Sequence, residues 1–283
     1  MTPAPTLRPY QAAALEAIKD HLAHGKRRLL VALPTGTGKT VVFAQLPRAL
    51  GLRGRWLVLA HREELLDQAL AKLQAANPDL TCAVEQADRR AGAADVVIAS
   101  VPSLQRARLA ALDPADFAGV IVDEAHHAIA ESYGRIFDHF ELLEEGCPRP
   151  LLGFTATPTR GDKVGLASVF EAIAFEAGLR EMIEAGYLAP IAGLRVGTDT
   201  DLSDVHLRAG EFIAAELAQA VDTDARNALI VRAYREHADG RRALAFCAGV
   251  SHAERLAATF SAAGVPSACV HGETPRDERR GTL

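Results

Sequence analysis

Three short polar segments carry side chains that together could handle a nucleoside triphosphate. The first is Pro34-Thr35-Gly36-Thr37-Gly38-Lys39-Thr40, which follows the apolar run Leu29-Leu30-Val31-Ala32 and precedes a helical pattern through Val42, Phe43 and Leu46. Strand, glycine-rich turn and helix form the setting in which Gly-Lys-Thr binds nucleotide phosphate. The glycines let several backbone N–H groups point at one anion, at the positive end of the following helix. Lys39 would then reach the outer phosphates, and the Thr40 hydroxyl would ligate Mg²⁺. The strict spacing asks for a glycine five residues before Gly38, and Leu33 stands there.

The second segment is Asp123-Glu124-Ala125-His126, at the end of the apolar run Gly119–Val122. An aspartate closing a buried strand opposite a phosphate loop is the usual holder of Mg²⁺. Glu124, beside it, is placed to orient or deprotonate the water that attacks the γ-phosphate. The third segment, Thr155-Ala156-Thr157, closes the run Leu151–Phe154. Taken singly, each has an ordinary explanation, a surface turn or a carboxylate favoured by a helix dipole. Their joint occurrence at strand ends is what points to chemistry.

The elements that must position these residues follow from periodicity. Leu15, Ile18 and Leu22 mark a first helix that stops at Gly25, and the helix after Lys39 is expected to run to about Leu50. Strands are expected at Arg55–Ala60, Thr81–Glu85, Asp95–Ser100, Gly119–Val122 and Leu151–Phe154. Amphipathic helices separate them, through Leu65–Leu73, Leu104–Leu112 and Ile136–Phe140. Apolar strands alternating with such helices predict an α/β fold with a parallel sheet covered on both faces. Ligands gather at the carboxyl ends of the strands in sheets of that kind. Beyond Pro158 a helix is expected at Leu179–Ala185 and strands at Ile191–Val196, Arg242–Cys247 and Ser267–His271. Further helices are expected near Glu211–Ala220, Asp224–Ala238 and Ala253–Ala263. A polar stretch, Gly197–Asp201, suggests two domains, residues 1–195 and 196–283.

Composition narrows the rest. The 283 residues carry a formal net charge of −5, so a nucleic-acid partner would need a local groove and not a general basic field. Four scattered cysteines with no C-x-x-C pair suit single thiols in a reducing compartment. No apolar run approaches the roughly 20 residues of a membrane helix, and the first residues lack a signal-peptide core. These features lead to the expectation of a cytoplasmic protein with no membrane partner.

In order and spacing, the three segments resemble the first three hallmark motifs of superfamily 2 DEAH-box helicases. The chain is most similar to the bacterial RadD and XPB-related group: Arg8-Pro9-Tyr10-Gln11 matches that group's adenine-reading segment, and Leu59-Ala60-His61-Arg62 its first nucleic-acid-contacting segment. The resemblance implies a RecA-like P-loop NTPase domain followed by an incomplete second RecA-like domain. It implies ATP and Mg²⁺ as cofactors and single- or double-stranded nucleic acid as partner, DNA in preference to RNA. By the same resemblance Gln11 and Arg8 read adenine, and Thr35, Gly36, Thr37, Gly38, Lys39 and Thr40 bind the phosphates. Thr40 and Asp123 hold the metal, and Lys39, Asp123 and Glu124 are the catalytic set. His126, Thr155 and Thr157 couple nucleotide state to nucleic acid, while Arg62, Ser100, Gln105 and Arg160 contact backbone phosphates. His127 and His139 are expected to be ordinary surface or packing residues.

Motors of this type take arginine fingers from a Gln-x-x-Gly-Arg-x-x-Arg segment of the second domain, and these 283 residues contain none. Such a finger is worth roughly 10³–10⁵ in rate in related phosphoryl-transfer enzymes. The expectation is therefore a chain that binds ATP but hydrolyses it poorly by itself. The alternative is a catalytically silent module that binds ATP or nucleic acid. Another P-loop enzyme, such as a kinase, would need an acceptor site that the sequence does not display.

Overall fold

Val96-Val97-Ile98-Ala99 has no polar residue and no alternation, as befits a strand buried on both faces. In the computed structural model, which describes residues 6–60, 63–157, 165–208 and 211–282, that run is a strand with every residue buried. The chain divides into two compact units, residues 1–191 and 192–283.

The first unit begins with helix α1 (Pro9–Ala23) and strand β1 (Arg28–Ala32). Helix α2 (Lys39–Ala44) follows, then α3 (Leu46–Leu50), β2 (Arg55–Ala60), α4 (Glu63–Ala76), β3 (Cys82–Glu85) and β4 (Val96–Ser100). After these come α5 (Arg106–Ala110), β5 (Phe117–Asp123), α6 (Glu131–His139), β6 (Leu151–Thr155), α7 (Gly165–Val169), β7 (Ala172–Glu176) and α8 (Leu179–Glu184). The strands form one sheet in the order β3-β4-β2-β5-β6-β1-β7, with every neighbouring pair parallel. This is the α/β, RecA-like architecture that the motif order implied. The helix expected from Lys39 to Leu50 is divided at Gln45, where Pro47 opens the second piece. Proline has no N–H to continue the helical ladder.

Alternate residues of each strand feed two separate cores. Leu29, Val31, Trp56, Val58, Val96, Ile98, Ile121 and Phe154 pack with Ala14 and Ile18 of α1, Phe43 of α2 and Leu66 and Leu73 of α4. Leu30, Leu57, Leu59, Val97, Ala99, Val120 and Val122 face the opposite way, toward Leu109 of α5 and Tyr133, Ile136 and Phe137 of α6. Each such side chain contributes ~1.5–3 kcal/mol when taken from water. The two layers therefore hold the central strands and fix where their carboxyl ends emerge. Gly153 of β6 is required by this packing: a Cβ there would lie 2.4 Å from the Phe170 ring and 2.9 Å from Ala125.

Strand β7 was not legible from sequence. It lies at the sheet edge against β1 alone, none of its residues is buried, and Ile173 is exposed. An edge strand needs no strong apolar pattern, so it leaves little signal.

In the second unit, β8 (Leu207–Arg208) and β9 (Glu211–Phe212) form a two-stranded antiparallel ladder. Helices α9 (Ala214–Val221), α10 (Asp224–His237), α11 (Val250–Ala262) and α12 (Arg276–Thr282) follow. The strands expected at Arg242–Cys247 and Ser267–His271 are not formed, and neither is the one expected at Ile191–Val196. Those stretches have no ladder partner among the described residues, and apolar side chains cannot by themselves define a strand. Leu244 and Phe246 are accordingly 73% and 96% exposed. Among the described residues, no helix is long and apolar enough to cross a membrane.

Candidate nucleotide-binding site

The sheet order sets the site. Strand β6 lies between β1 and β5, so the turn after Ala32 and the turn after Asp123 flank the end of β6. Ala32 is in register with Thr155, and Asp123 with Phe154. Neighbouring strands lie about 4.8 Å apart, so the first and second polar segments emerge about 10 Å from each other. The third segment rises between them, and Leu33 N–H donates to the Thr155 carbonyl at 2.9 Å.

The phosphate-loop turn is shaped by its own backbone. Gly36 and Gly38 have φ of 87° and 81°, the left-handed region that glycine enters without strain. Thr37 is buried, its N–H and hydroxyl both donating to the Pro34 carbonyl, at 3.3 and 2.6 Å. Thr35 and Gly36 are exposed at the tip. Lys39 is only 8% exposed, and its Nζ donates to the Leu33 carbonyl at 3.2 Å, across the mouth of the turn. Leu33, the departure from the strict spacing, is fully buried in the first core and has no positive φ. A glycine is not needed there, because the left-handed turns come later.

Arg8, Tyr10 and Gln11 converge on this loop. Gln11 Oε1 accepts the Arg8 N–H at 2.9 Å, and its Nε2 donates to the Thr37 carbonyl at 2.9 Å. Tyr10 donates its hydroxyl to the same carbonyl at 2.5 Å. A Cβ on Gly38 would sit 2.8 Å from Gln11 Nε2. The Arg8 guanidinium lies 5.7 Å from the centre of the Tyr187 ring, which itself meets Tyr10 edge-on at 4.6 Å. Both ends of the Gln11 amide are thus bound to the protein, leaving one N–H and one lone pair for another partner. Tyr187 was not anticipated as part of the site, and Tyr10 was named only within the segment Arg8–Gln11, without a role of its own. A tyrosine on the apolar face of α1 needs a partner for its hydroxyl, and that was the available signal.

Asp123 closes β5 and is 7% exposed, accepting the Glu124 N–H at 3.0 Å. Burial pushes its carboxyl up to about 6, with the Glu124 charge adding to the rise. The Glu124 N–H and the Lys39 charge act in the opposite direction. Lys39 and Asp123 therefore share one electrostatic environment. Glu124 is held at φ 51°, ψ 51°, left-handed for a non-glycine residue, a conformation that persists only where surrounding structure imposes it. His126 Nδ1 lies 3.3 Å from Glu124 Oε2 and 3.3 Å from Thr155 Oγ1. Thr155 Oγ1 also accepts the Thr157 N–H at 3.2 Å. A polar path thus runs from Glu124 through His126 to the third segment. His127 packs against His126 with ring centres 4.1 Å apart and the rings tilted by 46°, and His139 bonds the Leu112 carbonyl at 2.8 Å.

An open cavity of about 380 Å³ adjoins the loop, lined by Pro34, Thr35, Ala156, Glu176, Gly178 and Leu179 among others. The donor set fits Mg²⁺ in character: one buried carboxylate, Asp123, and the Thr40 hydroxyl, which Mg²⁺ supplements with phosphate oxygens and water. No cluster of three or more histidine, cysteine or acidic side chains suited to a protein-only metal cage occurs among the described residues. Tyr133 is fully buried on α6, and its hydroxyl has no hydrogen-bond partner among the described residues; burial and the Asp123 and Glu124 charges push its phenol up.

The candidates for nucleic-acid contact are less uniform. Ser100 ends β4 but is 4% exposed, whereas Gln105 is exposed just before α5. Arg62 and Arg160 lie outside the described residues.

Comparison with known proteins agrees with this geometry. Residues 4–160 match the family described as the type III restriction enzyme res subunit. A Saccharomyces cerevisiae protein, IRC3, whose name assigns it to the ATP-dependent helicases, is 35% identical over 98% of this chain and 42% of its own length. A Schizosaccharomyces pombe protein, irc3, named as a mitochondrial ATP-dependent helicase, is 34% identical over 96% of this chain and 46% of its own length. The chain thus spans less than half the length of these relatives. The solved structure of a nuclease-deletion mutant of the type ISP restriction-modification enzyme LlaGI, in complex with a DNA substrate mimic, superposes with a TM-score of 0.50. It is 18% identical, over 83% of this chain and 23% of that one, and shares the fold. With more than half of its length matched and its motifs gathered on one sheet end, the chain belongs to the family of the type III restriction enzyme res subunit, within the superfamily 2 helicases.

Proposed function

We propose that this chain carries the ATP-binding part of a nucleic-acid motor, in which ATP hydrolysis drives movement along DNA. The observation that carries the reading is the strand order, which sets the loop that leads from β1 to Lys39 and the Asp123 end of β5 on either side of the end of β6. In this reading the amides of Thr35 to Lys39 wrap the phosphates, and Lys39 leaves the Leu33 carbonyl to meet the outer ones. Arg8 and Gln11 face the adenine. Thr40 and Asp123 hold magnesium, which neutralises phosphate charge when bound. Glu124 orients the attacking water, with His126 fixing the carboxylate from one side. The chain His126–Thr155–Thr157 passes the state of the nucleotide to residues that meet the nucleic acid. Ser100, Gln105, Arg62 and Arg160 are proposed for backbone contacts, which hold a strand without reading its sequence.

The domain assignment, residues 1–195 for the first RecA-like domain and 196–283 for the beginning of a second, is part of the same proposal, as is the affinity with the RadD and XPB-related group. Because no Gln-x-x-Gly-Arg-x-x-Arg segment occurs in these 283 residues, turnover by this chain alone is proposed to be slow. The second reading, an ATP- or nucleic-acid-binding module without turnover, is favoured by that same feature. Free half-buried thiols at Cys82, Cys147, Cys247 and Cys269 support a reducing compartment such as the cytoplasm.

The test is ATP binding by the wild type and by Lys39→Ala, with and without single-stranded DNA. Loss of a charge-assisted phosphate contact should weaken binding by ~1.5–3 kcal/mol. Equal affinity of the two proteins would sink the reading. Brisk DNA-stimulated hydrolysis by the 283-residue chain would instead refute only its slow turnover.

A further inference from the structure

One buried amide joins the helix that leaves the phosphate loop to the helix that follows β2. Asn77 comes directly after α4 and has no exposed surface. Its Nδ2 donates to the Leu73 carbonyl of α4 at 2.9 Å and to the Ala44 carbonyl, the last of α2, at 2.7 Å. Its backbone N–H also donates to the Leu73 carbonyl, at 2.9 Å. Both groups that Nδ2 meets are acceptors, so the amide fits in one orientation only, with its NH₂ toward the carbonyls. Oδ1 is then left with no hydrogen-bond partner among the described residues. A buried acceptor left unmet costs stability, so an apolar side chain would pack here at less cost. What an apolar side chain could not supply is the pair of donor bonds.

The local sequence creates the need for that bond. The last four carbonyls of a helix lack partners within it, and Pro47, which opens α3, has no N–H to offer the end of α2. Pro78 likewise stops α4 at Asn77, since a residue before proline avoids the helical conformation. Val42 and Phe43 of α2 share one apolar core with Leu66, Ala69 and Leu73 of α4. Apolar contacts by themselves let packed helices slide by small amounts. The Asn77 amide removes that freedom, because both helices end on the same NH₂ group. Helix α2 starts at Lys39, and α4 starts at Glu63, directly after Leu59-Ala60-His61-Arg62. The 14 residues of α4 carry a displacement at Asn77 across about 21 Å, at 1.5 Å per residue.

We propose that Asn77 is a positioning residue that couples the two ligands of this chain. Through its amide, the shift of α2 on filling of the phosphate loop passes to α4, and so to the segment ending at Arg62. The proposal rests on the reading above, in which that segment meets nucleic acid, and adds the link between the two sites. Asn77 is buried away from both ligands, so each binds without it; what its loss removes is the effect of one ligand on the other.

The experiment measures the affinity for a fluorescein-labelled oligothymidylate with and without saturating magnesium AMP-PNP, a non-hydrolysable ATP analogue. It compares wild type, Asn77→Leu and, as a stability control in the same core, Ile18→Val on α1. In the wild type AMP-PNP should change oligonucleotide affinity about tenfold, and the oligonucleotide should change AMP-PNP affinity by the same factor. Asn77→Leu, close in size but without donors, should bring that factor below about two while each ligand alone binds within about threefold of wild type. Ile18→Val should lower the melting temperature and keep the full factor. A full factor in Asn77→Leu, or a factor lost equally in Ile18→Val, would overturn the proposal. So would a wild type that binds both ligands with no effect of one on the other. Hydrogen exchange of the wild type decides the matter if Asn77→Leu does not fold. AMP-PNP should slow exchange in α4 more than in α6 on the opposite face, and equal slowing would reject the link. Failure of the wild type to bind the oligonucleotide at all, with AMP-PNP still bound, would instead remove the nucleic-acid reading on which the proposal rests.

Discussion

Gln11 Nε2 donates to the Thr37 carbonyl at 2.9 Å, tying the first helix to the turn of the phosphate loop. The residue expected to read the base is thereby also a brace for the residues expected to bind the phosphates. Gln11→Ala should cost ~1 kcal/mol of stability, since Tyr10 alone would then bond Thr37. ATP affinity should fall with it, because a looser loop must be ordered on binding. Calorimetric titration and denaturant unfolding would show both effects, and a variant indistinguishable from wild type in each would dismiss the brace.

Asp123 makes stability depend on pH in a stated direction. Its carboxyl is pushed up to about 6 from the ordinary 3.8, so the folded protein holds this proton more tightly than the unfolded chain does. Its contribution is fully present below about pH 3.8 and is lost as pH rises through about 6. The gap corresponds to ~3 kcal/mol. In the absence of divalent metal, Asp123→Asn should therefore be more stable than wild type at pH 7.5, and the difference should shrink toward pH 5. Urea unfolding at the two pH values measures it. A difference that grows on acidification would show the sign to be wrong.

Tyr133 is fully buried with its hydroxyl unpartnered among the described residues. An orphaned buried hydroxyl costs ~1–3 kcal/mol, which its removal restores. Tyr133→Phe should accordingly unfold at higher denaturant than wild type with an unchanged slope. Destabilisation by this substitution would mean that the hydroxyl has a bonded partner in solution.

The two units should differ in resistance to protease. Neither of the two core clusters includes a residue beyond Leu188, and in the second unit only Val205, Val221, Val231 and Leu256 are buried apolar side chains among the described residues. Ile191 and Leu194 are 70% and 66% exposed. Limited chymotrypsin digestion should remove residues beyond about 190 first and leave a resistant fragment of the first unit, since cleavage follows local opening. Trimming of the first unit ahead of the second would contradict this.

Much of the site was legible because its parts are local. The turn from Thr35 to Thr40 needs left-handed glycines at fixed offsets, and Asp123, His126 and Thr155 each follow a strand whose apolar run is plain in the residues themselves. What was missed is non-local. Strand β7 is an edge with one partner, Tyr10 acquires its role through a carbonyl 27 residues away, and the stretch Arg242–Cys247 forms no strand because it has no ladder partner among the described residues.

By itself, the amino-acid sequence determined the alternation of buried strands and amphipathic helices, and the three polar segments at strand ends. Those depend on side-chain periodicity and backbone freedom, which neighbouring residues settle among themselves. Only the tertiary structure decided that β6 lies between β1 and β5, and hence that Lys39 and Asp123 feel one another's charge. It alone brought Arg108 to Glu85 at the sheet edge. Strand order and ion pairing across the sheet arise from packing two cores at once, and no local pattern carries that information.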